Sequence, residues 1–155
     1  MQIVIALAVI LSGVLSMVPP FLRNLKASRL SEPLDQLGLV ASRATALAAG
    51  WPVERAYPGP APLTPATVPR GELVTDPPDT WQHPTWRELA FSVSEPHAYS
   101  FAFDSKNGPA GASFEATARG DLDGDGNLST FVVTGEYKPA SDPTVGPILM
   151  HRELE

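Results

Sequence analysis

The sequence predicts an α+β chain: a long N-terminal hydrophobic stalk helix, a Pro-rich αβ-loop, then a small antiparallel sheet of three to four strands packed on the C-terminal half of the helix. Three observations predict it. Residues 1–18 contain no charged side chain. Residues 22–49 repeat apolar side chains at three- and four-residue steps, the period of a helix with one buried face. From residue 89 to 136 the repeat drops to two, the period of a strand with one face in a core. Four regions follow: 1–22 as an apolar, transmembrane-length stalk, 23–50 as an amphipathic helix packing on the head, 51–85 as the loop and 86–155 as the β head.

As a helix, the first region and its extension through Phe21 and Leu22 would measure roughly 27 to 33 Å, enough to cross a bilayer. A cleaved secretory signal is the alternative reading. Its usual marks are a basic n-region, a shorter apolar core and small residues at the cleavage site. Here no Lys or Arg precedes the run, and Leu15-Ser16-Met17-Val18 is a poor cleavage site. Pro19 and Pro20 each lack an amide donor and predict a bend or a melted turn. Ala6, Ala8, Ser12, Gly13 and Ser16 are small enough for close helix approach.

In the second region Leu22, Leu25, Leu30, Leu34, Leu37, Val40, Ala44, Leu47 and Ala48 form the apolar stripe, with Arg23, Lys26, Arg29, Asp35 and Arg43 largely off it. Pro33 predicts a kink near Leu30. Gly50, Trp51 and Pro52 end the helix. Nine prolines from Pro52 to Pro84 then exclude long helices and central strands, giving an extended loop. Trp51, Tyr57, Trp81 and Trp86 are the side chains expected to pin it to the head. In the head, Tyr99, Phe101 and Phe103 alternate with polar or small residues, as do Ala112, Phe114, Ala116 and Ala118, and then Ser129, Phe131 and Val133. Three antiparallel strands fit, with Asn107-Gly108 marking the first turn.

Charge divides the chain in the same place. Residues 1–50 hold four basic and two acidic side chains, net +2, and residues 51–155 hold seven basic and fifteen acidic, net −8. An acidic head excludes a nucleic-acid surface, which draws its affinity from clustered Lys and Arg. No cysteine is present, so disulfides and thiolate metal sites are excluded.

One motif carries metal chemistry. Gly120-Asp121-Leu122-Asp123-Gly124-Asp125-Gly126-Asn127-Leu128-Ser129 matches nine positions of an EF-hand calcium loop: Asp121, Asp123 and Asp125 at one, three and five, Gly126 at six, the Asn127 carbonyl at seven and Ser129 at nine. Three carboxylates so close repel unless a hard cation draws their oxygens together. Val132 stands where a bidentate Glu would close the shell, so a ligand must come from elsewhere, with Glu136 and Asp142 nearest in sequence. A plain hairpin turn is the other reading, since Asp and Gly dominate turns without metal. If bound, Ca²⁺ would act as a weak staple. Catalysis lacks its parts: His83, His97 and His151 are scattered, and no phosphate loop, Cys nucleophile or nucleophile elbow is present.

Residues 3–21, with Pro19 followed by Phe21-Leu22, and the basic shoulder Arg23-Asn24-Leu25-Lys26-Ala27-Ser28-Arg29 resemble the stem of the type IV pilin and pseudopilin family. The wording Trp86-Arg87-Glu88-Leu89-Ala90-Phe91, His97-Ala98-Tyr99-Ser100-Phe101 and the stretch 114–131 also resembles pilin-like heads of some deltaproteobacterial lineages. The resemblance implies a pilin fold and a subunit that waits in the inner membrane with its head outside the cytoplasm. Assembly machinery there would lift it into a cell-surface filament, exchanging lipid for copies of itself or other pilins. Gln2, Ile3, Ile5, Leu7, Val9, Leu11, Val14, Pro19 and Phe21 would then make the assembly contacts. Gln2 stands where major pilins carry a glutamate, no basic leader precedes Met1, and the head lacks the disulfide many pilins have. A minor pilin is therefore expected. The alternatives are a type II secretion pseudopilin, or a membrane-anchored extracytoplasmic calcium-binding or adaptor domain that does not polymerise.

Overall fold

The computed structural model describes residues 31–151. Helix α1 covers residues 31–50, and its buried positions are Pro33, Leu37, Val40, Ala41, Ala44 and Ala48; of the expected stripe Leu34 is exposed and Leu47 half-buried. Two polar side chains of α1 fix it to the rest. The Glu32 carboxylate accepts the N–H groups of Ala98 and Tyr99, and Arg43 donates to the carbonyls of Leu89 and Ala90. The helix stops at Gly50, where Trp51 N–H bonds the Ala48 carbonyl at 3.3 Å and Arg55 lies over the Trp51 ring.

The body of the protein is a six-stranded antiparallel sheet. Its strands are β1 (Ala61–Thr64), β2 (Tyr99–Gly108), β3 (Gly111–Gly120), β4 (Ser129–Tyr137), β5 (Thr144–Val145) and β6 (Leu149–His151), in the order β1-β2-β3-β4-β5 with β6 also on β4. The centre is a long meander in which Tyr99 to Gly108 pair with Gly120 to Gly111. Alternation decides the faces. Tyr99, Phe101, Phe103, Ala112, Phe114, Ala116, Ala118, Phe131 and Val133 are buried, while Asp104, Lys106, Glu115, Arg119, Thr134 and Glu136 are exposed. Trp81, Trp86, Phe91 and Phe101 close the core as an edge-to-face aromatic cluster with centroids 5.4–6.3 Å apart.

Several sequence expectations are corrected. The expected fold, a pilin-type α+β architecture led by a long hydrophobic stalk helix, gives way to a protein that is mostly antiparallel sheet with one long helix among the described residues. That helix carries Glu32, Asp35 and Arg43, and no helix among the described residues is long and apolar enough to cross a membrane. The inner-membrane single span is corrected by the same finding. The run 1–22 that suggested it, with its assembly residues Gln2, Ile3, Ile5, Leu7, Val9, Leu11, Val14, Pro19 and Phe21 and the expected kink near Leu30, lies outside the described residues. The sheet has six strands and not three or four: β5 and β6 add from the tail, and β1, which contains Pro62, adds from the loop at the sheet edge, where a missing amide donor is tolerated. The loop further holds a 3₁₀ turn (Val53–Arg55), and the short helix α2 (Pro84–Glu88) follows it. Of its four expected anchors Tyr57, Trp81 and Trp86 are buried, but Trp51 is largely exposed. The first hairpin turns at Pro109 and Ala110, two residues beyond Asn107-Gly108. Asn107 is held in β2 because its side-chain amide both accepts from the N–H and donates to the carbonyl of Tyr57.

Candidate functional site

The β3–β4 connection is the place where potential ligands converge. Gly120 and Ser129 form the last cross-strand pair, and residues 121–128 turn between them. Gly124 (φ 80°) and Gly126 (φ 93°) take up left-handed backbone that a side chain would oppose, which lets the chain wrap tightly. One oxygen from each of Asp121, Asp123 and Asp125 lies within 4.8 Å of the others.

The three carboxylates have different surroundings. Asp121 is buried, and its two oxygens accept the N–H groups of Gly124 (2.8 Å) and Gly126 (3.0 Å). Asp123 and Asp125 are exposed. Asp123 accepts from the Asp125 N–H, while Asp125 accepts from both the backbone and the side-chain amide of Asn127 at 2.7 Å. Those amides, the backbone one foremost, hold the Asp125 carboxyl below its usual range. The loop is thus a run of side-chain-to-backbone turns in which each aspartate caps residues further along.

A second segment braces it. Gly71 N–H donates to the Asp121 carbonyl at 2.7 Å, Arg70 and Asp121 form a parallel bridge, and the Arg70 guanidinium stands 3.8 Å from the Asp121 carboxylate. Exposure makes that charge pair weak, and its value lies in position. Nothing in the sequence pointed to Arg70, since it is 51 residues from its partner in an unpatterned loop.

The donor set suits a hard cation in part. Three carboxylates and the Asn127 carbonyl are oxygen ligands of the right kind. The remaining expectations fare differently. Ser129 is buried at the start of β4, Val132 pairs with Thr117 inside the sheet, and Glu136 pairs with Ser113. Glu136 is therefore seven rungs from the loop, about 23 Å along the strand. Asp142 follows it past the far end of β4. Neither side chain can complete the shell, so water would have to. The histidines do not gather either: His83 caps α2 through Thr85 N–H, His97 is buried against Asp76, and His151 is exposed on β6.

No family model, no curated protein and no solved structure matches this chain.

Proposed function

We propose that the chain is a non-catalytic structural subunit of a pilus-type filament, more in keeping with a minor or atypical subunit than a major one. The body described above is its head. One observation carries the reading: the charge-free apolar run 1–18 and its basic shoulder lead in sequence into α1, and the inward stripe of α1 is part of the head's own core. A segment so apolar needs a non-aqueous partner, and copies of itself would provide one. Electron microscopy of the purified full-length chain tests this. Regular fibres in which residues 3–18 cross-link between subunits are expected, and discrete particles under every assembly condition would overturn it. The mass of the mature N-terminus separates the variants, since a methylated amino group marks prepilin processing.

The convergence of Asp121, Asp123 and Asp125 favours a second, compatible reading, in which the head binds Ca²⁺ as a structural staple. With only three carboxylates and solvent to complete the shell, affinity belongs in the range of roughly 10⁻⁴ to 10⁻³ M. Calorimetry at millimolar calcium is expected to show binding, with a rise in melting temperature. No heat and no shift would remove this reading and leave the filament proposal standing.

A further inference from the structure

His97 is 1% exposed, and both ring nitrogens meet oxygen. Its Nδ1 lies 2.8 Å from the Tyr99 carbonyl, which can only accept a hydrogen bond. Its Nε2 lies 2.9 Å from Asp76 Oδ2, the same oxygen that accepts the Trp81 indole N–H at 2.9 Å. A neutral imidazole has a single N–H and satisfies one of these contacts, leaving a lone pair against an oxygen at the other. A second proton between His97 and Asp76 satisfies both. Trp81 packs edge-on to the ring, and the groups are closed from water.

We infer that His97, Asp76 and Trp81 form a proton-dependent clasp that holds the strap 70–76 on the sheet. The strap is fastened at two ends. Gly71 bonds Asp121 at one, and at the other Val74 and His97 exchange two backbone hydrogen bonds of 2.9 Å beside the clasp. Two carboxylates face this spot: Asp76 from the strap, and Glu32 from α1, which holds the neighbouring Ala98 and Tyr99 amides. The other ring neighbour, Trp81, is uncharged. Proton loss replaces a donor–acceptor contact by two opposed lone pairs in a site without water to relieve them. The sign follows. The contact therefore holds with the second proton and loosens without it, which places the looser clasp at the alkaline end. The clasp joins segments 21 residues apart in sequence, and neither His97 nor Asp76 belongs to the loop at 121–129.

Hydrogen exchange on the full-length chain between pH 5.5 and 8.5 tests the inference. The Val74 and His97 amides are expected to lose about tenfold in protection at the upper end, beyond the intrinsic rise in exchange rate and relative to amides of β3. His97→Gln keeps a side-chain amide at this position but no group that gains or loses a proton in this range, so in this variant the extra pH dependence is expected to vanish. Nitrogen chemical shifts of the wild-type His97 ring give a readout that needs no variant, and are expected to report two protonated nitrogens at pH 5.5. A ring with one protonated nitrogen at every pH, or equal protection of Val74 and His97 at both pH values, would overturn the inference.

Discussion

Replacing Asp121 by Asn asks whether the candidate loop is organised by its own hydrogen bonds or by a cation. In the structure the two carboxylate oxygens divide the work, one accepting from Gly124 N–H and the other from Gly126 N–H. Asn keeps one acceptor and turns an N–H toward the second donor, so one charge-assisted bond is lost and a buried amide is left facing another donor. Bonds to charged groups contribute about 1.5–3 kcal/mol, and stranding a buried polar group adds to the loss, giving about 2–4 kcal/mol for Asp121→Asn. Arg70 changes this little, because its guanidinium is largely in water. Asp123→Asn is the matched control. That side chain is exposed and its one bond, from Asp125 N–H, is available to an amide oxygen too, so its effect belongs within about 0.5 kcal/mol. In chelator-treated buffer, thermal unfolding should place Asp121→Asn on the order of 10 °C below the wild type and Asp123→Asn beside it. Equal melting temperatures for the two variants without metal would refute the argument that Asp121 is a structural cap.

Three further outcomes follow from particular contacts. A Cβ at Gly135 would stand 2.1 Å from Phe114 Cε1, and that ring is trapped between Phe103 and Tyr57, so Gly135→Ala should cost about 1–3 kcal/mol or more by chemical denaturation. The Tyr57 hydroxyl is buried with no hydrogen-bond partner, and burial, then the Glu136 charge and Tyr137, raise its pKa. The folded state therefore resists its ionisation; stability is unaffected below the ordinary tyrosine value of about 10 and falls as pH rises past it, a loss that Tyr57→Phe should abolish without cost at neutral pH. The Asp125 carboxyl is shifted the other way, so its turn is intact above the usual carboxylate range and opens as pH falls through the lowered value, which exchange of the Asn127 amide should report.

What could be read from the sequence is what periodicity encodes. Alternating Tyr99, Phe101 and Phe103 specified a strand and its inward face, and the three-to-four spacing specified Leu37, Val40, Ala44 and Ala48 of the stripe that α1 buries, though it also placed the exposed Leu34 there and missed Ala41. The Asp-Gly turn was legible for a related reason, since its three carboxylates are local and their spacing is written in consecutive residues. The short strands β5 and β6 were not, because two or three exposed residues paired to β4 carry no alternation to detect. β1 was hidden by Pro62, a residue that argues against a central strand but not against an edge. Strap residues such as Arg70, Gly71 and Asp76 gain their roles only from partners far along the chain, which no window of sequence contains. The apolar start of the chain weighed most in the expected fold, and that weight belonged to residues outside those the structure describes.

A chain without disulfides must fix a proline-rich connection by other means, and proline itself dictates which. Proline has no N–H to donate, so segments rich in it present carbonyls and little else to the ladder. Here the carbonyls are met by hydroxyls reaching from structured neighbours. Ser105 in β2 donates to the Pro58 carbonyl, Thr85 in α2 donates to the Gly59 carbonyl at 2.7 Å, and Thr64 turns back on the Pro62 carbonyl at 2.9 Å while receiving the Trp86 indole N–H. In these three hydroxyl contacts the donation runs from side chain to loop carbonyl. Small hydroxyl residues at otherwise buried positions, Thr64 and Thr85 among them, are therefore not imperfections of the core. They donate to carbonyls of the proline-rich segment and, with the buried Trp81 and Trp86, fix its path.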